Sequence, residues 1–143
     1  MPRVWSKRSG SWQAPLAKPC RASPFTSKPE DAANADLVTE SIPEDPDLKA
    51  KVFAEFNKIC PPRAIFTTNT STMLPYMYAE ATGRPAQFAA LHFHQSVRQT
   101  NLVDIMPHAG TGAETVELLR AFARRIGPGA AGPEERARAL RDE

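Results

Sequence analysis

Cysteine is scarce: Cys20 and Cys60 are the only two in 143 residues. So few cannot build a disulfide framework, and a reducing compartment, the cytoplasm by default, is the expectation. No stretch approaches the ~18 consecutive apolar residues of a transmembrane helix. No apolar run of signal-peptide length follows the first basic residues, and no internal repeat appears at any useful period. Charge of one sign is not in large excess. The net is +2, too small to imply nucleic-acid or membrane binding by itself. What the chain has in quantity is proline, fourteen residues against seven glycines, which requires turns or segments that do not fold. At 41% hydrophobic and 24% charged it is otherwise near the globular average, and wholesale disorder is excluded.

The charge is unevenly placed. Residues 1–32 hold Arg3, Lys7, Arg8, Lys18, Arg21 and Lys28 against Glu30 and Asp31, a net of +4. The segment also carries five prolines and shows no helical or strand periodicity. Its composition suits a transit peptide, but it has no amphipathic arginine face. A disordered basic tail is the expectation, because it cannot bury enough apolar surface to offset its ordering entropy. The run GPGAAGPEERARALRDE after Ile126 is glycine- and proline-rich and then charged, so residues 128–143 are expected to be a flexible tail. One domain, 33–127, remains between them.

That middle segment alternates strand and helix signals. ADLVTESI at 35–42 reads as a strand ending at Pro43. Asp45 can cap a helix with Pro46 at its first position. Leu48, Val52, Phe56 and Ile59 recur at helical steps and predict its apolar face, and Pro61-Pro62 ends it. Ala64 to Thr68 is a second strand. A short helical piece around Leu74 to Ala81 and a turn at Gly83-Arg84-Pro85 follow. Phe88 to Phe93 and Leu102 to Met106 read as a third and fourth strand. Thr111 and Glu114 form a T-x-x-E capping box. It opens a helix with Val116, Leu119, Phe122 and Ile126 as its stripe and Gly127 past its end. Strands separated by helices predict an α/β fold with a mainly parallel sheet, which binds ligands at the carboxyl ends of its strands.

Four clusters stand at those ends. Glu44, after the first strand, can accept a ribose hydroxyl, with Lys49 a helical turn beyond. On spacing alone a surface acid near a surface lysine is the plainer reading. Asn69-Thr70-Ser71-Thr72 follows the second strand; it can orient a polar ligand or simply cap the next turn. His92 and His94 share one face of the third strand, and His92 is a natural general base near neutral pH. Together with Asp104 and His108 they invite a metal, but H-x-H…D-x-x-x-H matches no common zinc signature, so none is assigned. Asp104, inside an apolar strand, needs a partner if buried. An imidazole is the economical one, and a His–Asp pair fixes a tautomer.

In order along the chain, ADLVTESIPEDPDLKAKVFAEF, KICPPRAIFTTNTSTMLP, ATGRPAQFAALHFHQSV, NLVDIMP and AFARRIG resemble the second half of the NAD-binding domain of L-3-hydroxyacyl-CoA dehydrogenases. The resemblance covers about two-thirds of the chain, from about Ala35 to Gly127. It implies a partial doubly wound, Rossmann-like sheet with flanking helices. It also implies NAD as cofactor, an acyl-CoA substrate, and oxidation of L-3-hydroxyacyl-CoA to 3-oxoacyl-CoA. Glu44 and Lys49 match positions on the NAD side of the cleft. Ser71 matches a serine that hydrogen-bonds substrate near the nicotinamide. His92 of Leu-His-Phe matches the base that takes the 3-hydroxyl proton, and Asp104 stands where the family has a glutamate pairing with it.

The chain also departs from that family. Its Phe-Asn-Pro type sequence after Leu-His-Phe is here His94-Gln95-Ser96, so Gln95 replaces the asparagine that helps place cofactor and substrate. No G-x-G-x-x-G occurs in residues 1–34, so the backbone N–H cradle for the pyrophosphate is missing. The family's all-helical domain, which completes the acyl-CoA pocket, is not in the sequence. Two expectations follow: a dehydrogenase present as a truncated chain, associating with whatever supplies the missing halves, or a non-catalytic remnant. A metal-binding module using the histidines is a third. Dehydrogenase activity predicts NADH, a remnant none, and a module metal-dependent stability.

Overall fold

The computed structural model describes residues 26–94 and 102–126 in full, and the backbone of 6–8 and 11–13. Gln95, Gly127 and the tail 128–143 lie outside the described residues. Within the first 32 residues, strands β1 (Ser6–Arg8) and β2 (Ser11–Gln13) pair antiparallel. A 3-10 helix, Pro29–Asn34, runs across the domain boundary expected at 32/33.

The central sheet has four strands, β3 (Leu37–Glu40), β4 (Ile65–Thr68), β5 (Phe88–Phe93) and β6 (Val103–Met106), in sequence order across the sheet. The pairs β3/β4 and β4/β5 are parallel and β5/β6 is antiparallel. The sheet is therefore mixed and mainly parallel, as expected.

Helix α1 (Pro46–Ile59) connects β3 to β4. Asp45 caps it, its side chain accepting from Asp47 N and Leu48 N, and Pro46 occupies the first position. Helix α2 (Ala113–Ile126) follows β6. Each helix covers one face, and the central strand β4 is buried along its whole length. On the α1 face, Phe53 stacks on Phe66 at 5.6 Å and meets Phe88 edge-on at 5.1 Å. On the α2 face, Ile65, Leu91, Val103 and Ile105 pack with Leu119 and Ala123.

Four local expectations are corrected. The buried face of α1 is centred on Lys49 and Phe53, while Leu48 is 38% exposed. The stripe Leu48–Val52–Phe56–Ile59 is rotated because a lysine holds a core position. In α2 the buried residues are Thr115, Leu119 and Ala123, and Ile126 is 45% exposed. Thr115 goes inward because its hydroxyl donates to Ala86 O at 2.8 Å. The helical piece expected around Leu74–Ala81 is two 3-10 turns, Pro75–Met77 and Glu80–Thr82. Thr111, expected in a capping box, has its hydroxyl donating to Phe88 O at 2.7 Å and accepting from His108 N. It thereby fastens the start of α2 to β5.

The turn into β5 is built around Arg84. Gly83 has φ +68°, the left-handed region that glycine enters without steric cost. That turn sends the nearly buried Arg84 back against the end of α1. Its guanidinium donates to the Pro61, Ala64 and Asn57 carbonyls and its Nε to Asn57 Oδ1. The Asn57 carbonyl in the last turn of α1 and the Cys60 carbonyl at its C-cap thus meet a cation, which the helix dipole favours.

Candidate active site

The carboxyl ends of β3, β4 and β5 lie along one edge, and antiparallel β6 starts there. Asn69 ties the three parallel strands together: its N–H donates to Glu40 O at 2.7 Å, and its Oδ1 accepts from Phe93 N at 2.9 Å. The loop that carries Ser71 is thereby anchored next to the Leu91-His92-Phe93 segment. Ser71 itself is exposed in the turn after Asn69-Thr70.

His92 and Asp104 are directly opposed in the β5/β6 register. The side chains of Leu91, Val103 and Ile105 go to the α2 face. Alternation therefore sends His92, His94 and Asp104 to the other face together. The carboxylate does not bond to the histidine expected. Asp104 Oδ2 lies 2.8 Å from His94 Nε2 and 3.8 Å from His92 Nδ1. The His92 distance is an ion-pair separation, too long for a hydrogen bond. The shorter aspartate side chain stops short of His92, and His94, on the same face, takes the oxygen. The two imidazoles lie 4.6 Å apart, and all three side chains are partly buried. His108 stands apart from them: its Nε2 donates to Pro85 O at 3.0 Å, and its Nδ1 accepts from Gly110 N at 3.1 Å.

The Glu44–Lys49 cluster separates into two arrangements. Glu44 is exposed, and its carboxylate accepts from the buried Thr70 hydroxyl at 2.8 Å. Thr70 also accepts from Met73 N, closing the turn beyond Ser71. Lys49 is not a surface lysine. It is fully buried, with Nζ donating to both oxygens of Glu40 at 2.7 and 2.9 Å and to Ile42 O.

Glu40, which the sequence reading passed over, organises the site floor. Besides Lys49 its carboxylate accepts from Ile42 N and from the Thr68 hydroxyl, and Thr68 in turn accepts from the Tyr78 hydroxyl. A buried charge is tolerable only when so fully paired. Burial raises the Tyr78 pKa above its ordinary value, opposed by the Thr68 bond and reinforced by the negative charges of Glu40 and Glu44. The available signal for Glu40 was an acid ending a strand nine residues before a lysine on the following helix.

The model of the 3-hydroxyacyl-CoA dehydrogenase NAD-binding domain family matches residues 7–131. The peroxisomal bifunctional enzyme of Cavia porcellus is 34% identical over 102 residues, covering 71% of this chain and 14% of the relative. The fatty acid oxidation complex subunit alpha of Vibrio campbellii is 36% identical over 92 residues, covering 64% of this chain and 13% of the relative. Among solved structures, a 3-hydroxybutyryl-CoA dehydrogenase from Escherichia coli K12 superposes with a TM-score of 0.66 at 33% identity. That match covers 68% of this chain and 21% of the other. The chain thus spans a minor part of the length of these relatives. With most of its residues matched and a Rossmann-like sheet of the same kind, the chain belongs to the 3-hydroxyacyl-CoA dehydrogenase NAD-binding domain family.

Proposed function

We propose that the carboxyl edge of β3–β6 is the reacting face of an NAD-dependent 3-hydroxyacyl-CoA dehydrogenase, oxidising an L-3-hydroxyacyl-CoA to the 3-oxoacyl-CoA. The observation that carries this reading is the convergence of His92 and Asp104 at that edge, beside the turn Asn69 ties to Phe93. His92 takes the proton of the substrate 3-hydroxyl as general base. Asp104 sets the orientation of the imidazole pair. Ser71, exposed on the anchored turn, donates to the substrate oxygen. Acceptance of the hydride from substrate C3 is the chemistry NAD supplies when bound.

The residues present fit the nicotinamide-proximal part of that cofactor. Glu44, held by Thr70, offers a carboxylate for a ribose hydroxyl at the end of β3. Lys49, locked on Glu40, positions the β3–α1 turn beneath Glu44 and does not reach a ligand. Relatives named as a bifunctional enzyme and a complex subunit support association with other segments or chains. The low cysteine count supports a reducing compartment, the cytoplasm by default.

The test is NADH formation from NAD and 3-hydroxybutyryl-CoA by the chain. Slow turnover is expected, reduced about 10²–10⁴-fold by His92→Ala and less by Ser71→Ala. Turnover that survives His92→Ala overturns the assignment. One observation favours a second reading, a non-catalytic member of the family: Asp104 bonds His94 rather than His92. A folded chain that forms no NADH at any NAD concentration supports that reading.

A further inference from the structure

His92, His94 and Asp104 each offer one ligand atom, and the three atoms lie within 4.8 Å of one another. We propose that they form a binding site for a divalent transition metal, with two imidazoles and one carboxylate as protein ligands. The donor set is of the right chemistry. Two histidines with one carboxylate is a recurrent ligand set for zinc and ferrous iron, with further positions left to water or a ligand. The geometry is close to what a metal needs. Ligand bonds of about 2.0–2.2 Å in a tetrahedral site place donor atoms about 3.3 Å apart. His94 Nε2 and His92 Nδ1 stand 2.8 and 3.8 Å from Asp104 Oδ2, and the 4.8 Å limit on the whole set leaves side-chain rotation to bring the donors onto an ion.

The backbone holds the set in place. His92 and Asp104 face each other across the β5/β6 ladder, and His94 N donates to Leu102 O at 3.3 Å, extending that ladder past the last strand residue. The cluster is also specific to this chain's departure from the Leu-His-Phe-Phe-Asn-Pro pattern, since His94 stands where that pattern has a phenylalanine. His108 is excluded as a further ligand, because both of its ring nitrogens are engaged with Pro85 and Gly110. The spacing matches no common zinc signature because the ligands are brought together by strand register, not by a short spaced motif.

A metal on His92 takes the lone pair that general-base action requires. Zinc is therefore an inhibitor of the proposed dehydrogenase, a consequence that rests on that functional reading. The site itself does not.

The experiment is a Zn²⁺ titration of the full chain, followed by calorimetry and by imidazole ¹⁵N NMR. One Zn²⁺ per chain is expected, with a Kd of about 10 μM or tighter. The ring nitrogens of His92 and His94 should shift while those of His108 stay. His94→Phe and Asp104→Asn should each weaken binding at least about tenfold. Binding weaker than about 0.1 mM, or Zn²⁺ uptake that leaves the His92 and His94 resonances unmoved, overturns the proposal. The NMR readout on the unaltered chain decides the matter even if a variant fails to fold, and neither readout depends on turnover.

Discussion

Asp104 is bonded to His94, not to the histidine it directly opposes: the Nε2–Oδ2 separation is 2.8 Å. An ionised carboxylate only accepts, so the ring proton of neutral His94 resides on Nε2. The prediction is a His94 population dominated by the Nε2–H tautomer, read from imidazole ¹⁵N shifts. Asp104→Asn should redistribute that population. An unchanged His94 spectrum in Asp104→Asn contradicts the bond.

His94→Phe removes the competitor for the carboxylate. Asp104 is then free to close the 3.8 Å gap to His92 Nδ1, which orients the base. NADH formation should rise severalfold in His94→Phe, and the gain should vanish in the double variant with Asp104→Asn. A fall in turnover in His94→Phe alone would mean that His94 itself serves the reaction.

Alkaline pH should destabilise the fold through Cys60 and Tyr78. Burial raises the pKa of both above their ordinary values of 9.0 and 10.0; the Arg84 charge opposes this at Cys60. Raised folded values mean that both groups favour the fold fully below those ordinary values. As pH climbs past 9.0 and then 10.0, the unfolded chain releases these protons first, and stability falls until the folded groups also ionise. Denaturant midpoints measured from pH 7 upward should decline over that range. In Tyr78→Phe the decline should be shallower. Near pH 7 that variant loses one hydrogen bond to Thr68, worth about 1 kcal/mol. A decline of equal slope in Tyr78→Phe assigns the effect elsewhere.

The strands and the two long helices were legible because each strand is a short β-prone run bounded by proline or polar turns. The Asp45 cap is local chemistry and was equally plain. The faces of the helices were not. Counting apolar residues put Leu48 inward, whereas the core position belongs to Lys49, whose charge is neutralised by Glu40 from a strand nine residues earlier. Nothing local distinguishes such a lysine from a solvated one. At the site, His92 and Asp104 could be placed on neighbouring strands from the pattern. Which histidine holds the carboxylate depends on one methylene of reach and on the β5/β6 register, both properties of the assembled sheet.

Gly83→Ala tests the turn that delivers Arg84. The backbone there has φ +68°, and an added Cβ would lie 2.2 Å from Asn57 Nδ2. The left-handed conformation alone costs an alanine about 1–2 kcal/mol. Asn57 cannot yield freely, since its Oδ1 accepts from Arg84 Nε at 2.8 Å. A loss of at least about 1 kcal/mol in urea unfolding is expected. Gly83→Asn should lose less than Gly83→Ala if conformation dominates over the clash, because asparagine tolerates the left-handed region. Equal losses would place the cost in the contact with Asn57.

The pair Glu40–Lys49 tests whether the site floor is held by charge or by shape. Both side chains are almost fully buried. Removing one partner leaves the other uncompensated, which costs about 3–5 kcal/mol in buried pairs generally. Lys49→Met should be near that range, since Glu40 would retain only Ile42 N and Thr68 as donors. Glu40→Gln should cost somewhat less, because its amide can still accept from Thr68 while Lys49 keeps Ile42 O. The double variant carries no buried charge and should recover much of the loss, giving a coupling of about 0.5–3 kcal/mol in a double-mutant cycle. Chemical denaturation of the four proteins supplies the cycle. Additive losses would show that Lys49 is held at its core position by packing of its aliphatic stem. The ordering of Glu44 and Thr70 above it would then owe nothing to the ion pair.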